Sequence, residues 1–400
     1  MNRSFKEVKL CEDDLSDLEM LRNIIDERGG EDPLHILNLG DVLEKHRVWI
    51  RKMPRVVPYF AIKSNPNPTV IKLLASIGGH FDCASKEEII QATSLGVPSE
   101  RIIFANPIKF KSHIEYAKKV GVMLMTVDHE DELKKIKEIY PEAKILIRIR
   151  CDAKVTDAVL GKKFGCDPED EAVNLIKLTI ELDLELNGFC FHTGSPCGEV
   201  AAICRGIYIC NKLIHIARSF GCDHVNIIDI GGGFPGERDC DLGEFAEPIN
   251  AALDDIDFSI KIIAEPGRYY VTSAVTAAAC VLGKKTVIRE GKKTFMYYVS
   301  DGVYGSFIEE LLDIRARHPV TVNATRVDKE KYPSTVWGPT CDSYDCLLKE
   351  ELLSEYYIGD WLAWYNVGSY GTCLANEFNG FRAPKVYPVM KRKDWYSLNN

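Results

Sequence analysis

The sequence predicts an α/β protein: a (β/α)8 barrel of the TIM type, followed by a mainly antiparallel β-domain that also takes in the N-terminal segment. Three observations predict it. Short apolar runs alternate with amphipathic stretches eight times over roughly 210 residues from residue 58, the count and length of such a barrel. Polar residues gather at the carboxyl end of nearly every run. After residue 270 the character changes to longer runs of alternating polarity, the mark of half-buried strands. A doubly wound open sheet is the competing arrangement, since it is also built from alternating strands and helices.

Taken in order, residues 1–35 form an N-terminal segment, in which Glu7–Cys11 reads as a strand joining the later sheet. Residues 36–272 are assigned to the barrel and 273–400 to the β-domain. The barrel strands are expected at Pro58–Lys63, His80–Ser85, Arg101–Asn106, Val122–Val127, Lys144–Ile149, Leu186–Thr193, His224–Ile230 and Lys261–Pro266. Between them, Thr69–Ile77, Lys86–Leu95, Ile114–Val120, Glu130–Ile139, Pro168–Leu182 and Ala201–Phe220 carry helical patterning. Val275–Ile288, Thr294–Val299, Tyr356–Tyr365 and Lys385–Val389 are the strands expected of the β-domain.

Net charge is −9, which disfavours nucleic acid and anionic membrane as partners. The first residues, MNRSFKEVKLCEDD, hold no apolar signal core, and Val271–Gly283 is too short to span a bilayer. Fourteen cysteines at scattered spacings, with no CxxC pair, point to free thiols in a reducing, cytoplasmic setting and to no structural metal.

Barrel strands present their carboxyl ends at one mouth. Lys63, Asp82, Ser85, Asn106, Arg148, His192, Gly231-Gly232-Gly233, Glu265 and Arg268 should therefore converge there. Burial at a strand end would lower the pKa of Lys63 and make its amine a nucleophile, as a Schiff-base lysine requires. The glycine loop after strand seven leaves backbone N–H groups bare for a phosphate, with Ser195 and Arg268 able to complete the cradle. A reactive lysine beside a phosphate site makes pyridoxal 5′-phosphate (PLP) the economical cofactor. Glu265 would then hold the pyridine nitrogen and His192 would stack on the ring.

The segments PYFAIKSN, FDCASKEEI, RIIFANP, FHTGSPC, DIGGGFPG, AEPGRYYV, DGVYGSF, WGPTCDSYD and FNGF resemble those of eukaryotic ornithine decarboxylases, in consistent order from about residue 35 to 390. The resemblance implies a PLP enzyme of fold type III, alanine racemase-like, acting as a head-to-tail homodimer with shared active sites. It implies that Lys63 is the Schiff-base lysine, His192 the stacking histidine and Glu265 the acid on the pyridine nitrogen. Ser195, Gly231, Gly232, Gly233, Gly267, Arg268 and Tyr370 would contact the phosphate, with Asp82, Glu88 and Arg148 in support. Cys341 of the partner subunit would protonate the α-carbon. Asp313, with Asp342 of the partner subunit, would hold the distal ammonium, and Leu312, Tyr304 and Phe378 would also line the substrate site. Lys163 and Asp345 would pair across the dimer. The implied reaction is decarboxylation of L-ornithine to putrescine, the first step of polyamine biosynthesis.

Two departures from the family stand out. Leu312 replaces a tyrosine common there, and Ile308-Glu309-Glu310 replaces the usual Asn-Cys-Ile, so a preference for lysine is an alternative. An inactive regulator of the antizyme-inhibitor type is another. The resemblance also implies antizyme binding through Lys109–Lys135, although a lysine run is commonly a solvated face.

Overall fold

The computed structural model describes residue 5 and residues 7–323 and 330–398. The chain divides into two compact units, Glu44–Tyr270 and the combination of Met1–Leu43 with Val271–Asn400. The first is a closed barrel of eight parallel strands: Val56–Ala61, His80–Cys83, Ile102–Phe104, Leu124–Val127, Lys144–Arg148, Glu185–Cys190, Ile227–Asp229 and Lys261–Ala264. The last closes on the first, with Ile262, Ile263 and Ala264 opposite Val56, Val57 and Pro58. Closure rules out the open doubly wound sheet.

Every strand overlaps its expected run, but most end before the run does. Lys63, Ser85, Asn106, His192 and Glu265 therefore lie just beyond their strands, whereas Asp82 and Arg148 remain within theirs. Lys63, for instance, sits in a single 3-10 turn, Ile62–Ser64, rather than in the strand. One apolar cluster joins Tyr59, Ile103, Leu146, Cys190 and Ile263, drawn from strands one, three, five, six and eight, and so spans the barrel interior. Local chemistry fixes the strand-to-helix turns. Asn67 accepts from the Thr69 N–H and caps Pro68–Ser76, whose first residue is a proline where a missing N–H is harmless. Ser85 caps Lys86–Ser94 by accepting from the Glu88 N–H. Among the described residues one helix, Val200–Ser219, is long and apolar enough to cross a membrane. Its buried Ile203, Ile207, Cys210 and Ile214 recur at helical spacing, as an outer barrel helix requires.

The second unit is built on one sheet. Its central strand, Val275–Arg289, pairs along its first half with Leu34–Asn38 and Trp361–Trp364, and along its second half with Lys292–Val299. Lys385–Lys391 lies between Lys9–Cys11 and Leu34–Asn38, parallel to both. Lys331–Trp337 runs parallel to Lys292–Val299 and antiparallel to Cys346–Ser354. Val320–Asn323 adds to Trp361–Trp364. The sheet is thus mainly antiparallel and includes the N-terminal segment. Its core gathers Met20, Leu21 and Ile24 of helix Asp17–Arg28 with Ile36, Ala278, Trp361 and Val389.

Candidate active site

At the barrel mouth, the Lys63 ammonium pairs with the carboxylate of Asp82. Asp82 is fully buried, and its Oδ1 has no hydrogen-bond partner. The lysine itself is 39% exposed, which corrects the expectation of a buried strand-end amine. The 3-10 turn lifts it off the strand, and the acid it pairs with is fully buried.

The mouth holds more acid than base. Asp82, Glu88, Asp229 and Glu265 face Lys63 and Arg148 as their named cationic neighbours. Burial pushes the Glu88 carboxyl up to about 7, with the Asp82 charge adding, against the opposing N–H of Ala84 at 2.5 Å. Burial also pushes Asp229 up to about 7, opposed by the Gly231 N–H at 2.9 Å and a hydrogen bond from Glu265. Glu265 is raised well above the usual carboxylate range by burial first, then by Asp229 and Asp82. Burial thus favours its protonated form. Asp229 was absent from the expected site. Its signal emerges only from the strand register, which sets Asp229 opposite Ile263, two residues before Glu265.

His192 accepts from the Gly194 N–H through Nδ1 at 3.1 Å. Burial, then the charges of Arg148 and Lys63, hold it well below its ordinary range, so the ring is neutral with the proton on Nε2. The Arg148 guanidinium lies 5.2 Å from the Phe164 ring centroid. Arg268 is buried and donates through Nε to Ser195 Oγ at 3.1 Å.

The loop Gly231-Gly232-Gly233 threads between these groups. Gly233 has φ +96°, and a Cβ there would lie 2.3 Å from the Gly194 carbonyl oxygen. Among the described residues, the N–H groups of Gly232 and Gly233 meet no protein acceptor. Two free N–H donors near a buried arginine and a serine fit a phosphate dianion. A neutral imidazole fits a stacked aromatic ring, and a buried protonated carboxyl fits a pyridine nitrogen. The residues of the mouth thus fit PLP.

Lys163 and Gly267 belong to the barrel unit, and the expected residues from Tyr304 onward lie in the other unit. The Tyr304 hydroxyl donates to Asp342, and this bond lowers the Asp342 pKa. The Tyr304 ring sits 4.8 Å from that of Phe378. Cys341 is exposed, and its N–H donates to Asn379 Oδ1 at 3.0 Å. Tyr304, Cys341, Asp342 and Phe378 thus form one cluster. Asp313 is exposed at φ +55°, next to Leu312 at 60% exposure. Tyr370 has φ +53° and follows Ser369, whose hydroxyl bonds Thr272 at 2.9 Å.

Three groups of expected residues find partners within their own unit. Asp345 is fully buried, with both carboxylate oxygens engaged there. The divergent Ile308-Glu309-Glu310 lies on a short helix whose two glutamates are buried against Arg317. Within Lys109–Lys135, Lys109 is buried on Glu132 at 3.0 Å, and Lys135 is drawn to the same acid. Lys111, Lys118 and Lys134 are exposed but sit near Glu138, Glu142 and Glu130. The stretch is therefore a charge-balanced face and not a bare basic patch.

Comparison with known proteins agrees with this geometry. Residues 39–272 match the family model for the pyridoxal binding domain of pyridoxal-dependent decarboxylases. The chain is 39% identical over 393 residues to the ornithine decarboxylase of Mus musculus, covering 94% of this chain and 85% of that one. It is also 39% identical over 394 residues to antizyme inhibitor 2 of Xenopus laevis, covering 95% and 86%. The arginine decarboxylase of Paramecium bursaria Chlorella virus, solved with agmatine, superposes with a TM-score of 0.88 at 32% identity, covering 93% of this chain and all of that one.

Proposed function

Because the chain belongs to the pyridoxal-dependent decarboxylases, we propose that it converts L-ornithine to putrescine and CO2, as a homodimer with shared sites. It is a PLP-dependent amino-acid decarboxylase. Bound PLP supplies the electron sink for the pair left on Cα when CO2 departs.

The chain's own residues do the rest. Lys63 holds the cofactor through its amine, and Asp82 orients that amine and balances its charge. The Gly232 and Gly233 N–H groups, Ser195 and Arg268 bind the phosphate. His192, neutral and fixed by Gly194, packs on the ring without adding a charge that would oppose the sink. Glu265 would hydrogen-bond the pyridine nitrogen, and burial raises its carboxyl well above the ordinary range. Cys341 of the partner subunit delivers a proton to Cα. Asp313 and Asp342 of the partner subunit bind the distal ammonium, and a monoamino substrate would leave those acids without their cation.

The observation that carries the ornithine reading is the 39% identity along 94% of the chain to an ornithine decarboxylase. The equal identity to an antizyme inhibitor supports a second reading, an inactive regulator. The retention of Lys63, Asp82, Glu265, Cys341, Asp313 and Asp342 favours the enzyme.

Absorbance and kinetics decide between them. The purified protein with PLP should show a visible band that Lys63→Ala abolishes; a colourless protein under saturating PLP sinks the enzyme reading. With ornithine, lysine and arginine in competition, ornithine should lead in kcat/KM by about 10-fold or more, the scale of one methylene in a fitted pocket. Equal or better turnover of lysine would overturn the ornithine assignment.

A further inference from the structure

Arg317 is a buried arginine with three anchors. Its side chain is only 10% exposed. Nη1 donates to Glu310 Oε1 at 2.7 Å, Nη2 donates to the Glu309 carboxylate, and Nε donates to the Asn366 carbonyl at 3.1 Å. Each guanidinium nitrogen thus meets an acceptor of its own, a fork that a lysine ammonium cannot reproduce. Both glutamate side chains are nearly fully buried. Burial raises the Glu310 carboxyl, and the Arg317 charge opposes that rise. A buried ion cluster is weak evidence of added stability. Its bonds do hold three segments of chain in one place.

The same two glutamates shape the chain that follows them. They lie on the helix Ile308–Leu311. The Glu310 carbonyl accepts from the Asp313 N–H at 3.3 Å. The Glu309 carbonyl accepts from the Ile314 N–H at 2.9 Å and the Arg315 N–H at 3.3 Å. Asp313 stands at φ +55°, a left-handed conformation that is costly for a residue with a Cβ. Its neighbours must therefore hold it there. Asn366 supplies the fixed side, two residues beyond the strand Trp361–Trp364. The last ring of that strand, Trp364, packs 5.2 Å from Phe307, the residue before the helix. The helix is thus tied to one strand end twice, by Phe307 at its start and by Arg317 through its glutamates.

We propose that Arg317 is a positioning residue that clamps the Ile308–Leu311 helix through Glu309 and Glu310 and thereby sets where the Asp313 carboxylate stands, which fixes the length of diamino acid accepted. This rests on the reading above, in which Asp313 binds the distal ammonium. Arg317 acts only through the helix and the turn after it. Ornithine and lysine differ by one methylene, so an acid free to move by that length stops telling them apart.

Two variants release the clamp. Arg317→Lys keeps a positive charge and loses the fork. The triple variant Glu309→Gln, Glu310→Gln, Arg317→Met removes all three charges together, so no buried ion is left unpaired. Tm and the absorbance of bound PLP check that each variant folds and loads. In the triple variant we expect KM for ornithine to rise about 10-fold, with kcat little changed, and the ornithine-to-lysine ratio of kcat/KM to fall about 10-fold toward unity, the scale of one methylene. Arg317→Lys should fall between parent and triple variant. Amide exchange at Asp313 and Ile314 in the cofactor-free protein should be at least ~10-fold faster in the triple variant, as expected of a local opening made easier.

A parental KM and a parental ratio in a folded triple variant overturn the proposal, even where exchange is faster, because the clamp then serves the fold alone. An altered ratio with unchanged exchange also overturns it, since the acid has then moved by another route. A parent that turns over no diamino acid sinks the functional reading and this proposal with it, whereas an active parent whose ratio ignores the clamp defeats the proposal alone.

Discussion

At the barrel mouth, four carboxyl groups lie near Lys63 and Arg148, and burial pushes three of them, Glu88, Asp229 and Glu265, above the ordinary carboxylate range. This has a pH signature with a definite sign. Glu88 and Asp229 titrate near 7 in the fold, against ordinary values of 4.5 and 3.8. Through these two groups the folded protein binds more protons than the unfolded chain between about pH 4 and 7, so their contribution to stability falls as pH rises through that window. Each contributes at most about 1.4 kcal/mol per pH unit, while the neutral His192 acts with the opposite sign below its ordinary range. The prediction is therefore a difference: the urea midpoint of the cofactor-free parent relative to Glu88→Gln should decline from about pH 4.5 to 7. A wild-type slope in Glu88→Gln would show that Glu88 is not the proton holder. Residue types were legible in the sequence, because Lys63, His192 and Glu265 each stand at a run's carboxyl end. Their surroundings were not. The exposure of Lys63 depends on a 3-10 turn that periodicity does not encode. The Asp229–Glu265 pair depends on which strands lie side by side.

Among the elements, the glycine loop after strand seven is the most demanding. Gly231 and Gly233 each combine a left-handed φ with contact against a backbone carbonyl that cannot move aside. Strain of this kind costs ~1–3 kcal/mol. Gly233→Ala should weaken PLP by about tenfold or more, the affinity change that 1.4 kcal/mol brings. Absorbance titration against PLP measures this, with Tm as the check that the barrel still folds. Unchanged PLP affinity in a folded Gly233→Ala protein would remove the loop from the phosphate site. The barrel elements were readable because parallel strands buried on both faces write continuous apolar runs. Four strands of the second unit escaped that reading: Leu34–Asn38, Val320–Asn323 and two with local reasons. Lys331–Trp337 contains Pro333, and Cys346–Ser354 contains Lys349-Glu350-Glu351. Register shifts between these two strands break the two-residue alternation further.

For the whole molecule, the shared-site proposal makes a numerical prediction. Lys63→Ala and Cys341→Ala subunits, each nearly inactive alone, are mixed and allowed to exchange. In a heterodimer, one site then carries both lesions and the other carries neither. Random pairing makes half the dimers mixed, so activity should recover to about 25% of the parent's, given two-fold symmetric sites. No recovery in verified heterodimers would place the complete catalytic set within one chain. The topology bears on how the protein is made. Every barrel partner lies between Val56 and Ala264, so the ribosome delivers that unit as one uninterrupted stretch. The other unit is sewn from both flanks. Lys9–Cys11 is among the first segments synthesised, yet it pairs with Lys385–Lys391, made some 370 residues later. Leu34–Asn38 likewise awaits Val275–Arg289 on one side and Lys385–Lys391 on the other. The earliest strands therefore stay unzipped while the barrel emerges complete, and the cluster bearing Cys341 comes together only once Asn379 has been made.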